Sequence, residues 1–138
     1  MPESIVAYID GGARGNPGPA GYGVRIERPD GTVVDEFSAS IGIATNNVAE
    51  YRALLAALDW ANRHGCRVVH IRSDSLLLVQ QMRGRYKVKN QGLQALHAKA
   101  RLVANEVGRV TYEHVGRELN AHADRLANVA MDAAASQK

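Results

Sequence analysis

Four carboxylates stand at widely separated points of this 138-residue chain: Asp10, Glu50, Asp74 and Asp124. Asp10 closes the apolar run Ile5-Val6-Ala7-Tyr8-Ile9 and opens a glycine-rich turn, and Asp74 closes Val68-Val69-His70-Ile71-Arg72-Ser73. Glu50 and Asp124 each fall about one turn into a predicted helix, after asparagine-containing starts. Gathered in one place, the four form a hard, oxygen-only donor set, suited to divalent cations and phosphodiester chemistry and of no use in an apolar core. Taken singly, each also fits a bland role as a cap or a surface acid; for Glu50 alone the two readings balance.

The elements that must position them follow from periodicity. Residues 4–10 read as a strand and 11–19 as a turn dense in Gly and Pro, with strands at 20–28 and 32–40 paired around Pro29-Asp30-Gly31. Residues 46–64 read as a helix with a stripe of Val48, Tyr51, Leu55, Leu58 and Asn62, widened by Leu54 and Ala61. Thr45, Asn46 or Asn47 can cap it, and Gly65 ends it. A fourth strand at 67–73 is expected parallel to the first because a helix connects them. Helices at 75–83 and 91–106, a strand at 109–115 and a helix at 120–134 capped by Asn120 complete the chain, with residues 135–138 expected to fray as a disordered tail. The order βββαβααβα implies an α/β fold: a five-stranded mixed sheet flanked by helices, forming one domain over residues 1–134. Asp10 and Asp74 then leave the carboxyl ends of neighbouring parallel strands, where open α/β sheets dock ligands.

Three further segments carry chemistry. Residues 10–23, D-G-G-A-R-G-N-P-G-P-A-G-Y-G, lack the spacing of a dinucleotide fingerprint and the G-K-[ST] of a phosphate loop. Their glycines let another backbone approach closely, and Arg14 and Asn16 add donors. In T-N-N-V-A-E, residues 45–50, one residue suffices as a cap, whereas three polar residues precede Glu50; amides can read a base edge or a ribose 2′-OH. Arg83, Arg85, Lys87 and Lys89 alternate with Gly84, Tyr86 and Val88, a basic segment with an aromatic that fits a phosphate backbone or, standing alone, a solvated loop.

Jointly, these motifs resemble the type 1 ribonuclease H family over nearly the whole chain. The matching elements are D-G-G-x-x-G-N-P-G-P-x-G-x-G at Asp10, T-N-N-x-x-E at Glu50, D-S at Asp74, and H-V-x-R-E-x-N-x-x-A-D-x-L-A-N from His114 to Asn128. Their order and spacing agree with the family. The resemblance implies a ribonuclease H-like fold and cleavage of the RNA strand of RNA/DNA hybrids, leaving 3′-hydroxyl and 5′-phosphate ends. It implies two Mg²⁺ ions, with Mn²⁺ as a substitute, held by Asp10, Glu50, Asp74 and Asp124. Asp10 would bridge the ions, Asp124 would complete the water-side ion, and Glu50 and Asp74 the leaving-group ion. His114 corresponds to a histidine assigned to proton transfer or product release, tasks that suit an imidazole. Asn16, Asn46, Asn47 and main-chain groups of Gly11 and Gly12 would contact the RNA strand, with Arg14 as a further donor. Thr45 and Asn90 would grip a DNA-strand phosphate, supported by Arg85, Lys87 and Lys89, with Tyr86 against DNA sugars.

The chain departs from the family in three places. The stretch from Arg83 to Gly92 is too short for the basic helix many members use as a handle. Leu93-Gln94 stands where a tryptophan is common, and Leu76 replaces a glutamine that often follows D-S. The metal ligands are untouched by these changes.

Bulk composition sets outer bounds. A single cysteine, Cys66, excludes an internal disulfide and a zinc–thiolate cluster and leans towards a cytoplasmic location. The net charge of +3 is compatible with a nucleic-acid partner without demanding one. The amino terminus lacks a signal-peptide pattern, no apolar stretch suffices for a membrane span, and a monomer is expected. Two other readings compete with the nuclease. A non-catalytic module binding hybrids or double-stranded RNA has no need of four acids, which repel phosphate unless cations intervene, and a DNA-directed nuclease of the integrase or resolvase kind has no need of the ribose-reading T-N-N segment.

Overall fold

The computed structural model describes residues 3–136. Five strands form one sheet, β1 (Ser4–Ala13), β2 (Gly18–Glu27), β3 (Val33–Ala44), β4 (Val68–Ser73) and β5 (Arg109–His114), in the spatial order β3-β2-β1-β4-β5. The first three pair antiparallel and β4 joins β1 in parallel, as the sequence implies, and β5 adds to β4 in parallel. Four α-helices accompany them: α1 (Asn46–Arg63), α2 (Leu76–Met82), α3 (Gln91–Val107) and α4 (Ala121–Ser136).

Several boundaries differ from the sequence reading. The glycine-rich segment is mostly strand. The β1–β2 ladder continues through Asp10↔Gly23, Gly11↔Tyr22, Gly12↔Gly21 and Ala13↔Ala20, so only residues 14–17 turn. Most of these glycines answer to close packing. A Cβ on Gly11 would lie 2.3 Å from the Ala49 carbonyl carbon in α1, and Cβ atoms on Gly21 and Gly23 would lie 2.5 Å from Ala130 and Leu126 in α4. Helices therefore press directly on strand backbone from both faces of the sheet. Strand β3 likewise runs to Ala44, four residues beyond the expected end at 40, because β2 extends far enough to pair with it through Gly18↔Ala44.

The two faces are assigned by alternation. Ile5, Ala7 and Ile9 of β1 are buried towards α1 with Val24 and Ile26 of β2, and Val69, Ile71, Leu54, Leu58 and Leu78 belong to the same core. The buried stripe of α1 is Ala49, Ala53, Leu54, Ala57, Leu58 and Ala61, with Glu50, Tyr51 and Trp60 also buried. It is rotated from the expected one: Asn62 is exposed and Val48 and Leu55 are half-buried, because small alanines occupy the closest approach to the sheet. The opposite face is covered over β1 to β3 by α4, whose Ala123, Ala127, Ala130 and Ala134 are buried as expected. Outside α4's cover that face is polar: Arg72 donates to the Tyr8 hydroxyl at 2.6 Å and to Glu113 at 3.0 Å.

The caps of α1 and α2 are those the sequence offers, and Asn90, expected only as a phosphate contact, also caps α3. Thr45, Ser75 and Asn90 accept from the N–H groups of Val48, Leu78 and Leu93. Asn120 differs. It precedes α4 and is buried, and its Nδ2 donates to the carbonyl of Ile9 at 2.9 Å, tying the start of α4 to β1. A 3₁₀ turn at Arg117–Leu119, unforeseen, leads into it. Residues 135 and 136, expected to fray, continue α4 to Ser136; 137 and 138 lie outside the described residues.

Candidate active site

Asp10 lies in β1 next to the end of β4, where Ile9 pairs with Ser73, so Asp74 follows on the neighbouring strand. Glu50 approaches from α1 and Asp124 from the first turn of α4. One carboxylate oxygen from each of Asp10, Glu50 and Asp74 lies within 4.8 Å of the others. The Asp124 carboxyl hydrogen-bonds with that of Asp10, and all four acids line one open cavity of about 450 Å³.

Asp10 and Glu50 are each only 8% exposed, which sets the electrostatics. Burial, then the charges of Asp74 and Asp124, push the Asp10 carboxyl up to about 8. Burial, then Asp10 and Asp74, hold Glu50 well above the usual carboxylate range. Glu50 is held by two hydrogen bonds that favour its charged form, from the Gly11 N–H at 2.6 Å and from the Ser75 hydroxyl. Ser75 thus caps α2 with its lone pair and serves Glu50 with its proton. Buried acids at this spacing repel one another without a cation. The donors are all oxygen, preorganised and close enough to share ions, so the residues fit hard divalent cations.

The cavity wall carries five of the six contacts expected for the RNA strand: Gly11, Gly12, Arg14, Asn46 and Asn47. The Asn46 Oδ1 accepts from the Ala13 N–H at 2.8 Å, and the Asn16 Oδ1 accepts from the Asn46 N–H at 3.0 Å. The oxygen of each amide is thereby committed, leaving the NH₂ to meet a ligand. Arg14 is steered by α4, with Nη2 donating to Asn128 at 3.0 Å and to Asp132 at 2.7 Å. Arg85, Tyr86, Lys87, Lys89 and Asn90 line a separate groove of about 570 Å³, and Asn47 lines both. Thr45 lines neither and serves as the α1 cap. His114 sits exposed at the end of β5, opposite Ser73, and is outside the cavity wall.

Sequence reasoning gave no site role to Ser75, Arg117, Asn128 or Asp132. Arg117, in the 3₁₀ turn, lines the carboxylate cavity together with Ser75 and Asn128. Arg117 and Asn128 lie within the H-V-x-R-E…L-A-N motif, so a signal was present; Asp132 follows Asn128 by one helical turn, a spacing that puts both on one face.

The comparisons agree with this geometry. Residues 8–130 match the family described as Reverse transcriptase-like. The chain is 32% identical to Ribonuclease H of Phenylobacterium zucineum, over 100% of this chain and 97% of that protein. It belongs to the ribonuclease H family. It is also 52% identical over 132 residues to Bifunctional protein Rv2228c of Mycobacterium tuberculosis, covering 95% of this chain but only 36% of that longer protein. The crystal structure of LC11-RNase H1 in complex with an RNA/DNA hybrid superposes with a TM-score of 0.89 at 47% identity, covering 94% of this chain and 98% of that one. Among the described residues no helix is long and apolar enough to cross a membrane.

Proposed function

We propose that this chain is a metal-dependent endoribonuclease that hydrolyses the RNA strand of RNA/DNA hybrids, working as a single catalytic unit and as a monomer. The observation that carries the reading is the Asp10–Glu50–Asp74 oxygen cluster within 4.8 Å, facing a cavity that Asp124 also lines. The hybrid complex of LC11-RNase H1, at 47% identity, supports the substrate class. Two divalent cations, Mg²⁺ or Mn²⁺, held by Asp10, Glu50, Asp74 and Asp124 would supply Lewis acidity towards a water and the leaving oxygen.

The chain's own groups do the rest. Gly11 and Ser75 orient the Glu50 carboxyl and favour its charged form against the larger effect of burial, and the Asn120 bond to Ile9 holds α4, and so Asp124, against β1. The NH₂ groups of Asn16, Asn46 and Asn47 are donors for ribose 2′-OH groups, which distinguish RNA from DNA. Arg14 and Arg117 set positive charge on the wall of the acidic cavity, where strand phosphates must pass. In the reaction a water oxygen gives up a proton to solvent as it forms a bond to phosphorus, and the bond to the 3′ oxygen breaks. That oxygen takes up a proton, leaving a 3′-hydroxyl and a 5′-phosphate. His114, exposed beside the site, would exchange protons with solvent during product release.

The test is digestion of a hybrid labelled on either strand, beside RNA and DNA duplexes. Cutting of the hybrid's RNA strand alone is expected; cutting of DNA duplex, or of neither hybrid strand, would overturn the reading.

A further inference from the structure

Beyond the link at residues 83–90, two more cavities continue the surface away from the carboxylates. One of about 490 Å³ is walled by Arg83, Lys87, His97, Arg101, Gln94 and Tyr86; the next, of about 160 Å³, shares Met82 and Arg101 with it and ends at Tyr112 and Gly108. The first also shares Gln81, Tyr86 and Lys87 with the groove of Arg85 and Lys89, which in turn shares Asn47 with the carboxylate cavity. Shared wall residues thus set these cavities side by side, from the acids across the link to the α3–β5 edge. Beyond the acids they are lined by Arg85, Lys89, Lys87, Arg83 and Arg101, with no Asp or Glu in the walls of these three cavities.

This surface is built. Gln94, His97 and Arg101 recur at three- and four-residue spacing on α3 and so share one face. The link backbone is pinned by Gln81 and Gln94, which donate to the carbonyls of Lys87 and Val88, and buried Gln81 is fixed in turn by the Tyr51 hydroxyl at 2.6 Å. Arg83 is tied to the Tyr112 carbonyl, whereas Arg101 is exposed at the junction of the two outer cavities. Tyr86, 46% exposed, offers a ring at the crossing. Cations spaced along a groove with an aromatic at its entry match a single nucleic-acid strand.

We infer that the Arg83–Lys87–His97–Arg101 groove binds a single DNA strand continuing past the end of the hybrid, so that this chain prefers hybrids whose DNA strand is extended. DNA is the strand indicated because the carboxylates and asparagines face the strand to be cut, which leaves the link to its partner. The inference rests on the function proposed above and adds a binding site to it.

Affinity would be measured in Mg²⁺ with an Asp10→Asn background, so that the hybrid stays intact. The probes are a blunt hybrid and hybrids carrying an oligo-dT extension at the 5′ or the 3′ end of the DNA strand. One extension should tighten binding about fivefold or more. Arg101→Glu should abolish that gain, leave blunt-hybrid affinity unchanged, and flatten the salt dependence for the extended hybrid by about 0.7 in log–log slope. Lys99→Glu, the same charge reversal on α3 outside the groove walls, should keep the gain. Equal affinity for blunt and extended hybrids, or equal losses from Arg101→Glu and Lys99→Glu, would overturn the inference. Loss of blunt-hybrid cleavage by the wild type would instead fall on the proposed function itself.

Discussion

At the scale of single residues, the site is a cluster of acids that the fold holds together against their own repulsion. Asp10, with its carboxyl at about 8, and Glu50, also raised, carry more protons in the folded metal-free protein than in the unfolded chain at neutral pH. Where the folded state binds the extra proton, stability falls as pH rises. Metal-free protein should therefore lose stability between about pH 4 and pH 8, by on the order of a few kcal/mol, and Mg²⁺ should restore more of it at pH 8 than at pH 5. Thermal melts with EDTA and with Mg²⁺ across that range check this; a metal-free melting temperature that rises from pH 5 to 8 would contradict it. Ser75→Ala should cost about 1 kcal/mol as a lost cap, yet lower cleavage about tenfold to a hundredfold, because Glu50 loses a partner. A cleavage rate unchanged in that variant would remove Ser75 from the site. The four acids were legible in the sequence only jointly, through four motifs in the order and spacing of the family, since each alone also reads as a cap or a surface acid. Ser75 was legible only as a cap, since nothing local reveals that its proton reaches a helix twenty-five residues earlier.

At the scale of elements, the glycines and alanines explain both what was read correctly and what was not. The antiparallel start, the parallel pairing of β4 with β1 and the caps of α1 and α2 follow from periodicity and turn residues. The turn expected at residues 11–19 shrinks to 14–17, because glycine marks a turn and a close approach alike, and only the partner element tells them apart. Gly11 must admit the backbone of Ala49, while Gly21 and Gly23 must admit α4. The contact between Gly11 and α1 also places Glu50 beside the Gly11 N–H. Gly23→Ala should then destabilise the fold by about 1–3 kcal/mol, as α4 is pushed off β2 and carries Asp124 with it. Urea denaturation together with a cleavage assay checks it; full stability in that variant would mean α4 does not rest on the strand backbone. Asn120 was read as a cap because helix starts favour asparagine, but its amide is spent on β1.

At the scale of the whole molecule, the acids and the basic link occupy adjoining stretches of one surface, joined at Asn47. A chain without the long basic handle still presents Arg85, Lys87 and Lys89 beside the site, held by the backbone bonds of Arg85 and Tyr86 to Gln80. Lys87→Ala with Lys89→Ala should weaken hybrid binding and reduce its log–log salt slope by roughly 1–2. An unaltered slope would take the link off the binding surface. The basic segment was visible in the sequence; its continuation through His97 and Arg101 was not, because those residues are more than six positions further on and only the packing of α3, chiefly on α1 and with His97 against the Gln81 carbonyl, brings them alongside.

The most direct measurement is the rate of hybrid cleavage by wild type and Asp10→Asn across a Mg²⁺ titration, with folding of both checked by thermal melt. The wild type should cut only with the cation present. Asp10→Asn should remain folded, bind hybrid, and cut slower by on the order of a thousandfold or more. Turnover in EDTA, or undiminished turnover by the Asp10→Asn protein, would contradict the assignment of the carboxylate cluster as a metal-dependent catalytic site.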